Sequence, residues 1–507
     1  MKPMSLEEIA AAINARVLGD AGQWDATKAA NAAGVCTNSK EIKPGDLFVA
    51  IAGKRFDGHS FVADALKAGG VGAIVRCDAP GMSDLANQYP GRLLGVMDTI
   101  LALEELAHHY RQKLACDCRE PGCHEHAGRG TVVIAITGSN GKTTTKRMLQ
   151  HILSQKLTGT ASPKSFNNNI GVPLTLLGVR EGDQYVICEV GTNAPGEIAE
   201  LSSVAQPDIA VITSVGETHL EKLGSIDLVA VEKASMLAHL QEGGTAVVWA
   251  DSPPLATALK PYEDLDIIRF GQASLAAGAD GRPQLRVLDA AKGLHAPDLQ
   301  LVEFKGQSAA CEFTAKYTLD STVEFRCTLP LPGRHNAMNA LAAIGAAMQM
   351  GFSPAEAADA LASFGGVEMR LQSIQAGSVR IINDAYNANP SSMAAAADVL
   401  ADQAATRRIM IAGDMRELGD DAAAIHERLG REVAARKIDL LIGVGELGRY
   451  IATGAASAGL AAKQFESLDA AAAALPAMLQ AGDVVLIKGS RAMAMERLVA
   501  PIEKAFG

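Results

Sequence analysis

The stretch VVIAITGSNGKTTTKRM, residues 132–148, decides the fold of the chain around it. Its β-branched, apolar start predicts a buried strand, the Gly-Ser-Asn-Gly run predicts a tight turn, and the remainder predicts a helix. Such a turn directs backbone N–H groups and the positive end of the helix dipole at one point, which makes a site for phosphate. Gly138 and Gly141 let the backbone approach the phosphates because neither carries a Cβ. The stretch therefore predicts a nucleotide-binding loop.

Side chains of the same stretch suit a nucleoside triphosphate. Lys142 supplies a mobile positive charge for the outer phosphates, and Thr143 supplies a hydroxyl for Mg²⁺. The full Walker pattern requires glycine at position 136, where this chain has Ile136, so the loop lacks the first glycine of that pattern. The predicted phosphate-binding set is Gly138, Ser139, Asn140, Gly141, Lys142, Thr143 and Thr144.

Composition describes a folded protein of several domains. The chain has 507 residues, too many for one core, and its size predicts about three domains. The net charge of −11 argues against nucleic acid and anionic membranes as partners, because either requires a basic surface. We find no signal peptide and no apolar run long enough to span a membrane. Because the eight cysteines are scattered through the chain, we expect a cytoplasmic protein without a disulfide framework.

The order of apolar runs predicts an α/β fold with three domains. Residues 1–115 alternate short strands and helices and form a small α/β N-terminal domain. Residues 131–365 form a central P-loop ATPase domain with a parallel sheet, within which residues 285–330 resemble an antiparallel appendage. Residues 366–507 alternate strands with alanine-rich helices and form a Rossmann-like C-terminal domain. That last domain has no G-x-G-x-x-G after its first strand, so we predict no dinucleotide there.

Three polar residues of the central domain are candidates for carrying chemistry. Glu189 ends the strand YVICEV, and a carboxylate beside the phosphate loop is where a second Mg²⁺ ligand belongs. His219 follows the strand IAVIT at the same edge, although a loop histidine is an equally good reading. Lys233 lies in VAVEKASML, a helix whose apolar face would otherwise choose valine or leucine there, and its position alone favours an ordinary surface lysine.

The joint between the second and third domains offers further candidates. Arg370 follows a glycine pair there, and an arginine at a domain joint can reach a phosphoryl group when the domains close. A rim arginine without a role is the competing reading. Asp384 ends a strand, and Asn336 and Asn339 lie one turn apart at the start of a helix. For Asn336, a simple N-cap is the alternative.

The polar break at residues 116–130 carries a separate hypothesis. Its sequence CDCREPGCHEHAGRG places sulfur and imidazole ligands close together, as a Zn²⁺ site would require. The spacing does not match the usual pairs of C-x₂-C knuckles, and the segment is short. We therefore predict a linker insertion and regard zinc at 116–126 as the less favoured reading.

Taken together, the motifs resemble those of the Mur ligases, the ATP-dependent amide-forming enzymes of peptidoglycan precursor synthesis. The resemblance runs nearly from end to end. Within the family, AGDMRELGDDAAAIHE (412–427) and VLIKGSRAMAMERLV (485–499) look most like the members that add D-alanyl-D-alanine. The other matching blocks, in the family's order, are TGSNGKTTTK (137–146), SFNNNIGVP (165–173), CEVGTNAPGEI (188–198), VGETHLEKLGS (215–225), PGRHNAMNA (332–340) and NDAYNANPSSM (383–393).

The resemblance implies roles for the candidate residues. Lys142 and Thr143 would hold ATP and Mg²⁺, with Glu189 and His219 near the metals, and Lys233 would be carbamylated by CO₂ and help to bind a metal. Arg370 would contact the γ-phosphate. In the same way, Asn336 and Asn339 would contact adenine and Asp384 the ribose. The residues that this reading assigns to catalysis are Lys142, Lys233, His219 and Arg370.

The resemblance also implies the substrates. The enzyme would join D-alanyl-D-alanine to UDP-N-acetylmuramoyl-tripeptide through an acyl phosphate, as a monomer with no nucleic-acid or membrane partner. The N-terminal domain would grip the UDP-sugar through the turns at 37–40 and 54–59, and the C-terminal domain would bind the dipeptide. The substrate-contacting residues would be Ser39, Asp57, His59, Asn168, Asn169 and Thr192. Lys40, Thr192 and Ser214 depart from the usual family pattern.

Two rivals remain open at this stage. A folylpolyglutamate-type ligase shares the loop and the amide chemistry, but about 130 residues precede the loop here, more than such enzymes carry. A P-loop regulatory ATPase belongs to another class and would hydrolyse ATP without an amine acceptor. It gives no reason for a third, Rossmann-like domain.

Overall fold

Three larger sheets follow one another along the chain. A computed structural model describes residues 1–19, 31–53, 56–114, 130–272, 297–319 and 322–507, and the backbone of 275–277 and 283–285. Within these ranges the sheets have five, nine and six strands and are mostly parallel, with helices between the strands. The predicted α/β fold class is confirmed. No helix in the described ranges is long and apolar enough to cross a membrane.

The first unit is a small α/β layer built on the five-stranded sheet β2-β7-β6-β5-β4. Its strands β4 to β7 are parallel, and β2 pairs antiparallel to β7 at the edge. Its elements are β1 (Met4–Ser5), α1 (Leu6–Ala12), β2 (Arg16–Val17), β3 (Asn31–Ala32), β4 (Gly34–Cys36), β5 (Asp46–Val49), α2 (Val62–Lys67), β6 (Gly72–Arg76), α3 (Met82–Gln88), β7 (Leu93–Val96) and α4 (Thr99–Leu114).

The middle unit is built on the nine-stranded sheet, and its first strand lies inside that sheet. The elements are β8 (Val132–Thr137), α5 (Lys142–Leu153), β9 (Gly159–Ala161), α6 (Gly171–Leu177), β10 (Tyr185–Glu189), α7 (Glu197–Ala205), β11 (Ile209–Ile212), α8 (Leu220–Leu223), α9 (Ile226–Ala234), β12 (Thr245–Trp249), α10 (Pro253–Ala258), β13 (Asp266–Gln272), β14 (Leu275–Ala277), β15 (Pro283–Leu285), β16 (Leu299–Gly306), β17 (Cys311–Tyr317), β18 (Val323–Leu329), α11 (Arg334–Met348) and α12 (Pro354–Leu361).

Strand β8 pairs in parallel with β10 on one side and β11 on the other. The loop that follows β8 therefore emerges between the carboxyl ends of two neighbouring strands, where ligands bind in open α/β sheets. The antiparallel strands expected in 285–330 are present as β17 and β18. They continue the central sheet through β16, which pairs in parallel with β13, so they are not a separate appendage.

The third unit is a doubly wound sheet of order β19-β20-β24-β21-β22-β23, parallel except for its edge strand β19. Its elements are β19 (Gln372–Ala376), β20 (Val379–Asn383), α13 (Pro390–Ala401), β21 (Arg407–Gly413), α14 (Ala422–Ala434), β22 (Leu440–Val444), α15 (Gly448–Ser457), β23 (Ala462–Phe465), α16 (Leu468–Met478), β24 (Asp483–Lys488) and α17 (Val499–Phe506).

Helix α4 connects the first unit to the middle unit through buried contacts. Tyr110 is fully buried, and its hydroxyl donates to the carbonyl of Val179 at 2.8 Å. Arg111 is also buried and pairs with Asp208 at 2.9 Å. One apolar core runs through both units because residues of β5 to β7 and α4 cluster with residues of β8, β10 and β11. The two units therefore share a continuous interface.

Candidate functional site

A cleft of about 520 Å³ lies between the middle and third units. Its walls come from the loop after β8, the start of α5, the ends of β10 and β11, the start of α11, and the loop from β20 to α13. Each of these segments lies at the carboxyl edge of a parallel sheet or at the N-terminus of a helix. Polar groups from two sheets thus converge on one space, as a small-molecule site requires.

The loop after β8 needs glycine at two positions. Gly138 and Gly141 have φ angles of 150° and 86°, and Gly141 immediately precedes α5. A Cβ on Gly138 would overlap the hydroxyl of Thr213, and a Cβ on Gly141 would overlap the side-chain oxygen of Asn339. The predicted phosphate loop is therefore held by a neighbouring strand and by α11.

Lys142 begins α5 and bends back over the loop. Its Nζ donates to the carbonyl oxygen of Gly138 at 2.6 Å. Burial lowers the pKa of Lys142, and the charge of Arg370 lowers it further, while Glu189 opposes the shift. The ammonium group thus lies beside the loop, where a phosphate oxygen can replace the carbonyl as its partner.

Two oxygen groups suited to Mg²⁺ lie side by side at the start of α5. Thr143 Oγ1 donates to Glu189 Oε2 at 2.9 Å, and Glu189 is only 1% exposed. The carboxylate also contacts Lys146 Nζ at 3.1 Å and accepts from Asn167 Nδ2 at 3.3 Å. Hydroxyl and carboxylate oxygens are the ligands that Mg²⁺ prefers, so this donor pair fits the ion.

Arg370 reaches this point from the third unit. Its Nη2 donates to Thr143 Oγ1 at 3.0 Å, and its guanidinium carbon lies 4.3 Å from the centre of the Tyr386 ring. Its Nε is buried and has no hydrogen-bond partner in the part of the chain that the structure describes. Tyr386 in turn donates from its hydroxyl to Ser165 Oγ at 2.5 Å. Arg370 therefore contacts the phosphate helix across the domain joint, and its role at the γ-phosphate stays a prediction.

The same cleft carries the groups expected to bind the nucleoside. Asn336 and Asn339 are buried and bonded to each other at 3.2 Å, and Asn336 donates to the carbonyl of Pro332. The N-cap of α11 is Gly333, so Asn336 is not a cap. Asp384 accepts from the backbone N–H of Leu371 and pairs with Lys488 at 2.6 Å.

His219 and Lys233 occupy different environments. His219 has a φ angle of 54° and its Nδ1 lies 2.5 Å from Glu417 Oε2 of the third unit. Lys233 is 2% exposed, and burial together with the charge of Lys142 lowers its pKa to about 7. The surface-lysine interpretation is therefore wrong. Across the described residues, no three His, Cys, Asp or Glu side chains come close enough to hold a metal ion.

The residues predicted to contact the UDP-sugar and the peptide lie apart from one another. Asn168 and Thr192 line the cleft, but their side chains already serve local turns: Asn168 accepts from Gly171 N, and Thr192 donates to Ala194 O. Asn169 is exposed next to them. Ser39, Asp57 and His59 belong to the first unit and do not line this cleft.

Within the first unit, His59 is buried, and both of its ring nitrogens have hydrogen-bond partners. Its Nδ1 lies 2.6 Å from Asp57 Oδ1, and its Nε2 accepts from the backbone N–H of Arg76 at 2.9 Å. Asp57 caps the short 3₁₀ turn Gly58–Phe61 through the N–H of His59. Both residues therefore shape the turn that follows β5.

The side chains of two phosphate-loop residues bond to neighbouring segments. Other residues around the cleft were not predicted from the sequence. Ser139 holds the segment 216–218, because its hydroxyl accepts from Gly216 N and from Thr218 Oγ1. Asn140 bonds to Asn389 across the unit boundary at 2.7 Å. Residues that the sequence did not single out but that line the cleft or support it are Lys146, Ser165, Trp249, His335, Tyr386, Glu417 and Lys488.

The Cys/His segment 116–129, with its zinc hypothesis, lies outside the described residues.

The fold and the site together define a P-loop nucleotide-binding enzyme in which a second α/β unit covers the phosphate loop. Models of three protein families match the chain in the same order: "Mur ligase family, catalytic domain" at 31–111, "Mur ligase middle domain" at 136–347, and "Mur ligase, glutamate ligase domain" at 369–491. The chain belongs to the Mur ligase family.

Relatives with a known name agree with this placement. The chain is 34% identical over 476 residues to UDP-N-acetylmuramoyl-tripeptide–D-alanyl-D-alanine ligase of Bacillus subtilis, with 92% of each chain covered. It is 34% identical to the Escherichia coli enzyme of the same name, with 93% of each covered. Among solved structures, MurF of Acinetobacter baumannii superposes with a TM-score of 0.81 at 30% identity and 99% coverage of both chains. MurF of Thermotoga maritima, solved in complex with ADP, gives 0.74 at 25% identity, with 93% of this chain and 97% of that chain covered.

Proposed function

We propose that the protein is an ATP-dependent amide ligase that joins D-alanyl-D-alanine to UDP-N-acetylmuramoyl-tripeptide, giving the pentapeptide, ADP and phosphate. The observation that carries this function is the contact of Arg370 with Thr143. It places a cation of the third unit at the start of the phosphate helix, 3.0 Å from a group suited to Mg²⁺. The two relatives that match more than nine tenths of this chain carry the same activity in their names.

The reaction needs an activated carboxyl group. A carboxylate does not condense with an amine in water because its oxygen is too poor a leaving group. Transfer of the γ-phosphoryl group of ATP to the tripeptide's terminal carboxylate gives an acyl phosphate, whose phosphate leaves readily. The amine of D-alanyl-D-alanine then attacks the carbonyl carbon, and the tetrahedral intermediate expels phosphate. An α-amino group with a pKa of about 7.7–8.0 is partly neutral near pH 7, so no strong base is required.

This chain's residues stabilise the charge that moves during phosphoryl transfer. Lys142 and the backbone amides of the loop would hold the outer phosphates, and Arg370 reaches the start of the same helix from the third unit. Mg²⁺, held by Thr143 and Glu189 with His219 nearby, would neutralise phosphate oxygens and act as a Lewis acid. Because Glu189 is buried and already bonded to Thr143, the donor pair is preorganised for that ion.

Lys233 suits the carbamylation that the family resemblance implies. Its neutral amine can attack the carbon of CO₂ and release a proton, which turns a cation into a carbamate anion. The reaction requires the neutral form, and a pKa of about 7 supplies a large neutral fraction near neutral pH. The protonated lysine would repel both Lys142 and a metal ion, whereas the carbamate would attract them.

The remaining contacts follow from the shape of the cleft. Asn336, Asn339 and Asp384 line the cleft and would hold adenine and ribose. Asn168 and Thr192 line it near Glu189 and would face the incoming peptide. The first unit, with Ser39, Asp57 and His59, would bind the UDP-sugar, and Asn169 would face the sugar or the peptide. Domain boundaries at 115, 131 and 366 and a monomeric state are part of the same proposal.

The decisive test measures phosphate release by purified protein with ATP, Mg²⁺ and UDP-N-acetylmuramoyl-tripeptide, with and without D-alanyl-D-alanine. We expect release to depend on the dipeptide and one pentapeptide to form for each phosphate. L-alanyl-L-alanine serves as the matched acceptor control and should not support release. Hydrolysis of ATP at the same rate without any acceptor would instead favour a regulatory ATPase.

A further inference from the structure

Tyr386 links the third unit to the middle unit, and the reaction described above gives it no role. It lies in the loop between β20 and α13. Its ring supports the guanidinium group of Arg370 at 4.3 Å, and its hydroxyl donates to Ser165 of the middle unit at 2.5 Å. The two ends of one side chain therefore contact Arg370 of the third unit and Ser165 of the middle unit.

The hydrogen bonds around Tyr386 run in one direction. The Tyr386 hydroxyl donates to Ser165 Oγ, which lies 3.5 Å from Thr143 Oγ1, and the Thr143 hydroxyl donates to Glu189. Because each hydroxyl has only one proton, Ser165 is left to direct its own toward Thr143. Such a chain ending on a carboxylate polarises each of its members. Tyr386 is thus coupled to the donor pair that suits Mg²⁺.

The guanidinium group of Arg370 needs a further contact to hold its orientation, because its hydrogen bonds leave one buried N–H donor unpaired. Only Nη2 bonds to Thr143, while the buried Nε has no hydrogen-bond partner within the described residues. A buried donor without an acceptor is costly, and a phosphate oxygen would satisfy it. Stacking on a tyrosine face fixes the plane of a guanidinium group without using any of its N–H donors. The Tyr386 ring can therefore hold Arg370 while its N–H groups change partners.

We propose that Tyr386 is a positioning residue for phosphoryl transfer: its ring holds Arg370 toward the γ-phosphate, and its hydroxyl links that placement to contact with Ser165. Arg370 is then correctly placed only when the third unit lies against the middle unit. This proposal rests on the proposed ligase function. It predicts that Tyr386 affects recognition of the γ-phosphate and not of the ADP part of the nucleotide.

The test compares Tyr386→Leu and Tyr386→Phe with the wild-type protein. Dissociation constants are measured by calorimetry for ADP and for a non-hydrolysable ATP analogue, with Mg²⁺ present, together with kcat and KM for ligation. The control is Tyr450→Leu, because the Tyr450 ring also stacks on an arginine, Arg449 at 4.8 Å, but lies outside the cleft. Tyr450→Leu should leave every constant unchanged.

For Tyr386→Leu we expect kcat to fall by about tenfold or more and the ATP analogue to bind about fivefold more weakly, because the arginine support is lost. ADP should bind as in the wild type. Tyr386→Phe keeps the ring, so binding of the analogue should be restored while kcat stays about two- to fivefold low through the lost hydrogen bond. Ser165→Ala should have the same effect as Tyr386→Phe, and the double variant should lose no more than either one.

Three results would overturn the proposal. Equal weakening of ADP and of the analogue in Tyr386→Leu would mean that Tyr386 merely maintains the fold of the cleft. Additive losses in the Tyr386→Phe and Ser165→Ala pair would remove the hydroxyl link, and this arm does not depend on the leucine variant folding. If the wild-type protein forms no pentapeptide, the ligase function itself fails, whereas normal wild-type turnover with an unaffected Tyr386→Leu contradicts only the role of Tyr386.

Discussion

Arg428 Nη2 lies 2.7 Å from Glu217 Oε2, which joins helix α14 of the third unit to the segment after β11 in the middle unit. Beside this pair, Glu417 of the third unit contacts His219 of the middle unit. Both contacts lie next to the phosphate loop because Ser139 holds the segment 216–218 that carries Glu217. The pair therefore stabilises the arrangement in which the third unit covers the loop.

Reversing one charge of this pair should weaken that arrangement. Arg428→Glu places two carboxylates together, and we expect the specificity constant for ATP to fall by about two- to fivefold, since exposed ion pairs contribute about 0–1 kcal/mol. The double variant Arg428→Glu with Glu217→Arg should recover most of the loss. Steady-state kinetics at low ionic strength measures the effect, because salt screens exposed charges.

The matched control for this experiment is Arg431→Glu. Arg431 lies on the same helix and pairs with Glu427 four residues away, within the third unit. We expect it to leave the kinetics unchanged. Loss of activity in the control equal to that in Arg428→Glu would show that the charge on α14, and not the contact between units, matters.

Lys142→Ala should reduce dipeptide-dependent phosphate release by at least about a hundredfold, because it removes a preorganised cation from the transferring phosphate. Lys156→Ala is the control, since Lys156 pairs with Glu356 on the surface of the same unit. Coupled-enzyme detection of phosphate measures both. Turnover of Lys142→Ala near that of the wild type would contradict the assignment of residues 138–144 as the ATP site.

The sequence predicts the part of the site that is built from neighbouring residues. The strand, loop and helix from β8 to α5 lie within one stretch, so local pattern and glycine positions are sufficient to place the phosphate site. The strand-end position of Glu189 follows in the same way, because carboxyl ends of parallel strands share one edge of a sheet. The three-unit α/β architecture follows from the alternation of apolar strands and helices.

Contacts between distant segments could not be predicted from local pattern. Tyr386 and Ser165 are 221 residues apart in sequence, and nothing around either residue indicates the other. The spacing of Lys233 does not reveal its burial, which comes from the packing of α9 against the rest of the unit. Ser139 was expected at the phosphates because of its place in the loop, yet its side chain serves the segment after β11.

Lys233→Ala should be nearly inactive, because the carbamate proposed at this position is lost along with the amine. A small carboxylate such as formate should restore part of the activity by supplying an anion in the space left by the side chain. Initial rates with increasing formate measure the rescue. The control is Lys260→Ala, which removes an exposed lysine of the same unit and should be fully active without formate. An active Lys233→Ala variant would show that no carbamate is required.

The third unit should lose stability in mild acid through its single histidine, His426. This side chain is fully buried; Nδ1 donates to the carbonyl of Ala422 at 2.6 Å, and Nε2 accepts from the N–H of Met415 at 2.9 Å. The bond to Met415 requires the neutral ring, and burial lowers the pKa of His426 below its usual 6.5. Below pH 6.5 the unfolded chain therefore binds a proton that the folded chain excludes, so the stabilisation is complete above that pH and is lost as the pH falls.

We expect His426→Gln to reduce the acid dependence of thermal unfolding, by up to about 1.4 kcal/mol per pH unit. Melting curves between pH 5 and 8 test this, with His239→Gln in the middle unit as the control. If the melting temperatures of the wild type and of His426→Gln depend on pH in the same way, His426 is not the cause of the acid sensitivity.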